Sequence, residues 1–171
     1  EAYIDLADDP AVGTLLPLVG ECPNLVVLRT FSKLHGLAGL RVGYGIAGTA
    51  LAARLRPGQL TWPNITGLRA ALASFGDLPF QVETRRALIT DRERIHRALD
   101  RLGRPRTQAQ GNFVFFDTGR PLAEFSDAML ARGIRVGRHF ERYDTWVRVS
   151  IGRRAEVDRL LAALPAALAR G

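Results

Sequence analysis

Leu25-Val26-Val27-Leu28-Arg29-Thr30 opens on an unbroken apolar stretch. A second run, Arg41-Val42-Gly43-Tyr44-Gly45-Ile46-Ala47-Gly48, follows after one short glycine-containing segment. A short apolar run bounded by turn residues is the pattern of a strand buried on both faces of a parallel sheet. Glycines within the second run mark a strand that backbone or ligand approaches closely. Between the two lies Phe31-Ser32-Lys33-Leu34-His35-Gly36-Leu37-Ala38-Gly39-Leu40, and Lys33 is the only lysine in the chain. Gly36 and Gly39 permit a tight path from that lysine to Arg41. A chain built this way must present one amine at a turn between two strands.

The remaining pattern places helices and a second sheet. Pro10 to Cys22 reads as a short helix and loop, with Pro23-Asn24 turning the chain into the first strand. Thr49 caps a helix running to about Leu55, which Pro57-Gly58 stops. Pro63-Asn64-Ile65-Thr66 opens a helix to about Phe75. A longer one runs from about Leu78 to Leu102, with Leu88, Ile95, Leu99 and Leu102 at helical spacing. Gly103 to Gly111 is a linker. Asn112–Phe116 reads as a strand, Pro121–Arg132 as a helix ending at Gly133, Ile134–Val136 as a short strand, and Trp146–Ile151 as another. Arg154 to Leu168 closes the chain as an amphipathic helix. The fold class is α/β, with a mostly parallel sheet and helices in residues 1–77. A connecting helix over 78–103 follows, and then a small α+β domain over 104–171.

Composition narrows the function classes. Hydrophobic residues make up 47% of the 171, enough for a packed core. The formal charge of +7 comes almost wholly from arginines spread along the chain, with no basic run interleaved with aromatics. Nucleic acid is therefore not the expected partner. The single Cys22 excludes an internal disulfide framework and suits a reducing compartment. With no signal peptide and no apolar run of membrane-spanning length, a cytoplasmic protein is expected.

Several residue types point to chemistry. A lysine amine condenses with an aldehyde cofactor and, once freed, moves protons; arginine, which stays protonated, does neither. The planar fork of Arg41 matches a phosphate, and Thr30 and Ser32 add hydroxyl donors at the same end of the turn. In Val147-Arg148-Val149-Ser150-Ile151, alternation sets Arg148 and Ser150 on the face opposite the valines. An arginine in such a strand needs a partner: a substrate carboxylate, or an acidic neighbour.

The Thr30–Tyr44 segment resembles the pyridoxal-phosphate lysine segment of fold-type-I (class I/II) aminotransferases, most closely the histidinol-phosphate aminotransferase group. Glu1-Ala2-Tyr3 resembles that family's Asp-Glu-Ala-Tyr segment without its aspartate, so the sequence is expected to be the C-terminal part of a longer polypeptide. The resemblance implies pyridoxal 5'-phosphate as cofactor and Lys33 as the catalytic residue. It implies that Ser32 and Arg41, with Thr30, hold the cofactor phosphate and that Tyr3 hydrogen-bonds the ring oxygen. It also implies that Arg148 binds the substrate carboxylate. Arg138, or Arg135 beside it, stands near the family's phosphate-gripping arginine, although Gly137 looks inserted there. Asn112 falls at a further family position. The activity implied is amino transfer between a small-molecule amino donor, such as histidinol phosphate or an aromatic amino acid, and a 2-oxo acid, in a homodimer. These 171 residues alone are expected to be inactive or weakly active. Two alternatives stand: a related decarboxylase of the phosphothreonine type, and a catalytically inactive binding module.

Overall fold

The structure, a computed structural model, describes residues 1–59 and 64–169. It divides into two compact units, Glu1–Arg85 and Arg86–Gly171.

In the first unit, strands β1 (Val26–Thr30) and β2 (Gly43–Ala47) pair antiparallel, from Val26 opposite Ala47 to Thr30 opposite Gly43. The α/β class stands, but the expected parallel sense does not hold for this pair. Parallel neighbours need a crossover of a dozen or more residues, usually a helix. The connection over residues 31–42 contains a single 3-10 turn, Ala38–Leu40, so the chain doubles back on itself. Nor is β1 buried on both faces: Val27 is 3% exposed and Leu28 63%. The second strand starts at Gly43 rather than Arg41, because Arg41 has φ 55°, a left-handed conformation no strand accommodates.

Around this ribbon lie α1 (Pro10–Gly13), a 3-10 turn at Leu16–Gly20, α2 (Thr49–Leu55) and α3 (Ile65–Gly76). Gly48, not Thr49, occupies the cap position of α2, and no side-chain bond forms there. For α3, the Asn64 side chain accepts the Gly67 N–H at 3.0 Å; the expected Pro63 lies outside the described residues. Phe31, Val42 and Ala71 form a small buried cluster with Leu37 and Leu40 packed against it.

Helix α4 (Leu78–Arg101) starts where the Asp77 carboxylate accepts the Phe80 N–H and contains the division between the two units. The second unit adds β3 (Phe113–Asp117), α5 (Leu122–Leu130), β4 (Trp146–Ser150) and α6 (Arg154–Leu168). Strands β3 and β4 pair antiparallel, with Phe115 opposite Arg148. Alternation turns Val114, Phe116, Val147 and Val149 inward onto Ile95, Leu99, Phe125, Met129, Val157 and Leu164. Asp91 on α4, nearly fully buried, accepts from Arg94 at 2.8 Å and from Arg154 at 2.7 Å, fastening α4 to α6.

The strand expected at Ile134–Val136 does not form. Ile134 and Val136 pack against the core while Arg135 stays exposed, so the alternation is satisfied by burial without a ladder. The segment touches β4 through one bond, Gly137 N–H to the Arg148 carbonyl at 3.0 Å. A Cβ at Gly137 would collide with that carbonyl oxygen. Its place in the sequence is therefore a requirement of close backbone approach.

Truncating Phe125, fully buried in this core, is expected to destabilise the second unit by about 3–5 kcal/mol. Denaturant titration of Phe125→Ala checks this, and a loss under about 1 kcal/mol would contradict the packing.

Candidate functional site

The turn carrying Lys33 is held at both ends by the ladder and within itself by two backbone bonds. Phe31 N–H donates to the Val42 carbonyl at 3.1 Å, Gly36 N–H to Lys33 O at 3.1 Å, and Leu37 N–H to Phe31 O at 2.9 Å. Gly36 has φ 69°, which a side chain would strain. Gly39 has neither a positive φ nor a close neighbour, so of the two glycines only Gly36 is needed for the path.

Lys33 is half-buried, and its Nζ stands over the Tyr3 ring, 5.0 Å from the centroid. Among the described residues the amine makes no hydrogen bond or ion pair. Thr30 Oγ1 donates to Ser32 Oγ at 2.9 Å and accepts the Ser32 N–H at 3.1 Å, so the two hydroxyls form one chain whose remaining proton is on Ser32. Arg41 is exposed, and its Nη1 donates to the Ala38 carbonyl at 2.7 Å. That bond steadies a left-handed arginine, the kind of backbone strain that gathers at ligand sites.

Tyr3 owes its place to two interactions that sequence reasoning missed. The Glu1 carboxylate accepts from Arg29 Nη2 at 3.0 Å and from the Leu15 N–H at 2.7 Å. Burial pushes the Glu1 carboxyl upward, but the Leu15 amide, Arg29 and Thr14 outweigh it and hold the group below its ordinary range. Arg85 then donates to the Asp5, Ala7 and Asp8 carbonyls at 3.1, 2.6 and 3.0 Å. The segment bearing Tyr3 is thereby tied to β1 on one side and to α4 on the other.

His35, given no role by the sequence, anchors the far side of the turn. Its ring packs on Phe31 and Phe75, with centroids 4.8 and 5.7 Å apart, and its Nδ1 lies 2.8 Å from Ser74 Oγ on α3. Phe31 and His35 stand four residues apart, a spacing that could have flagged the pair. Burial lowers the His35 pKa, with Asp5 opposing.

In the second unit, Arg148 lies with its guanidinium carbon 4.0 Å from the Phe113 ring centroid. It forms no ion pair with an acidic neighbour among the described residues, and its Nε is buried without an acceptor. A cavity of about 490 Å³ is lined by Gly137, Arg148, Ser150 and Glu156, with Arg135 and Arg159 at its wall. Arg138 is not part of that wall; its guanidinium sits over Phe140 at 5.1 Å. Asn112 contributes its carbonyl, which accepts the Ile151 N–H at 2.9 Å and extends the ladder. Lys33, Tyr3, Thr30, Ser32 and Arg41 thus share the first unit, and Arg148, Arg138 and Asn112 the second. Among the described residues no cluster of side chains is suited to a metal ion, and no helix is long and apolar enough to cross a membrane.

The pattern for the family described as aminotransferase class I and II matches residues 1–164. Histidinol-phosphate aminotransferase 2 of Methylococcus capsulatus is 40% identical over 167 residues, covering 96% of this chain and 45% of that protein. The crystal structure of histidinol-phosphate aminotransferase from Sinorhizobium meliloti in complex with pyridoxal-5'-phosphate superposes with a TM-score of 0.82. It is 27% identical, and the match covers 98% of this chain and 47% of that one. A decarboxylase from Sulfurospirillum multivorans superposes at 0.78 with 25% identity, over 99% of this chain and 51% of that one. The chain spans about half the length of the relatives it matches.

As the pH falls below the ordinary histidine value of 6.5, the unfolded chain takes up a proton before the half-buried His35 does. The stabilisation from neutral His35 is complete above that value and is lost as pH drops through the lowered one. Thermal melts at pH 7.5 and 5.0 are expected to differ less in His35→Gln than in the parent. An equal or larger difference in the variant would contradict this.

Proposed function

The chain belongs to the class I and II aminotransferase family, and on that premise we propose that it carries the working residues of a pyridoxal-phosphate-dependent aminotransferase. The reaction is amino transfer between a donor such as histidinol phosphate and a 2-oxo acid. One observation carries the reading: the only lysine of the chain is half-buried at a braced turn against the face of Tyr3, with no ion pair among the described residues. A lysine kept from carboxylates and partly from water is available for covalent chemistry, where a solvated surface lysine is not.

The residues present fit the cofactor. Pyridoxal phosphate, when bound, supplies an aldehyde and a ring that accepts an electron pair from the substrate's α-carbon. Lys33 provides the amine that holds it and afterwards moves the α-proton. Ser32 and Thr30 offer hydroxyls, and Arg41 a guanidinium, for the phosphate. Tyr3 would hydrogen-bond the cofactor's ring oxygen. Arg148 grips the substrate's anionic end, with Arg138 and Asn112 as further substrate contacts. The full-length protein works in this proposal as a cytoplasmic homodimer, and residues 1–171 alone turn over weakly or not at all. A second reading, decarboxylation on the same scaffold, draws support from the similarity to the Sulfurospirillum decarboxylase.

Borohydride reduction of the full-length protein with pyridoxal phosphate is expected to leave a stable mass increment on Lys33. Lys33→Ala should show no increment and lose roughly a thousandfold or more in turnover. Equal labelling of parent and variant would remove the central assignment. Product analysis separates the two reactions: a 2-oxo acid or keto product marks transfer, and carbon dioxide without one marks decarboxylation.

A further inference from the structure

We propose that Phe113 is a positioning residue that holds Arg148 ready for an anionic substrate group, an inference that rests on the substrate-binding reading of Arg148. Pairing places Phe113 opposite Ser150 and Phe115 opposite Arg148, so all four share one face of the β3–β4 ribbon. The ring directly across from Arg148 is occupied elsewhere: Phe115 packs on Phe140, Tyr143 and Trp146 at 5.6, 5.4 and 5.0 Å. Arg148 instead leans diagonally onto Phe113, at 4.0 Å from the centroid. Diagonal partners on a sheet face are within reach of long and aromatic side chains.

Among the described residues no carboxylate pairs with Arg148, and several acidic groups of this unit bond elsewhere. Asp117 accepts the Gly119 N–H at 2.9 Å, Glu156 the Arg153 N–H at 2.7 Å, and Asp144 pairs with His139 at 2.8 Å. Burial without an acceptor falls on Arg148 Nε. A buried guanidinium nitrogen left so demands an explanation. The aromatic face supplies it, attracting the cation without neutralising it. A carboxylate in place of Phe113 would satisfy the arginine and close the site. The ring orients the guanidinium and leaves its charge for the ligand, so less ordering remains at binding.

Succinate, an unreactive dicarboxylate, tests this by calorimetry on the full-length protein, alongside the KM and kcat for 2-oxoglutarate. Phe113→Leu is expected to weaken succinate and raise KM roughly tenfold, with kcat and melting temperature little changed, and Phe113→Trp to restore both. If Arg148→Ala weakens succinate but Phe113→Leu does not, the positioning role is overturned while the Arg148 reading stands. If Arg148→Ala has no effect, both fall. Should Phe113→Leu not fold, the parent carries the test by nuclear magnetic resonance. The Arg148 Hε signal, assigned by its loss in Arg148→Lys, is expected upfield of the other arginines through the ring current of Phe113. A signal among the rest would overturn the stacking.

Discussion

The antiparallel closure of β1 on β2 is the constraint on which the lysine turn depends. Because Thr30 sits opposite Gly43, both ends of the intervening loop are fixed within one ladder. A Cβ at Gly43 would come within 2.8 Å of the Arg29 carbonyl oxygen, so the ladder can close only with glycine there. The loop is thus short of freedom before any ligand arrives. Phe31 and Leu37 bond across it, His35 fastens it to α3, and the Glu1–Arg29 pair brings Tyr3 to the same place. Holding reactive groups in position before binding is how a scaffold lowers the entropic cost of chemistry.

The basic balance of the chain has a structural explanation. Several arginines here donate to main-chain carbonyls, Arg120 in addition to its pair with Glu124. Arg85 does so at the N-terminal segment, Arg104 at Leu168, Arg120 at Ala167 and Ala169, and Arg132 at Ala128. Carbonyls near helix ends carry partial negative charge and lack intrahelical donors, so a guanidinium fork serves them well. Such bonds need no acidic residue in return, and a positive net charge follows without any polyanionic partner. Lys33 stands apart as the only primary-amine side chain of the sequence.

Much of the local architecture was legible in the sequence. The bounds of α2, α3, α4 and α6, and the strands at β3 and β4, follow from apolar period and turn residues. Misreadings arose where a pattern has two physical solutions. An apolar run leads equally to a parallel or an antiparallel strand, and a connection without a crossover helix decided the matter for β1. Alternation at Ile134–Val136 leads equally to a strand or to a loop that buries alternate residues, and the core took the second. Thr49 has the chemistry of a cap, yet the backbone put Gly48 there.

The site divides in the same way. The sequence by itself determined the family and the lysine segment, because hydroxyls, lysine, glycines and arginine fall within one short stretch whose spacing is chemistry in itself. It also determined that Arg148 lies on the face of its strand opposite the valines, since a two-residue period admits no other outcome. Only the tertiary structure decided what those groups meet. Tyr3 comes to the face of Lys33, Ser74 to His35 and Phe113 to Arg148 through contacts between residues far apart in the chain. No period or propensity encodes such meetings. They are set by which faces must be buried together and by which polar groups, once buried, find a partner.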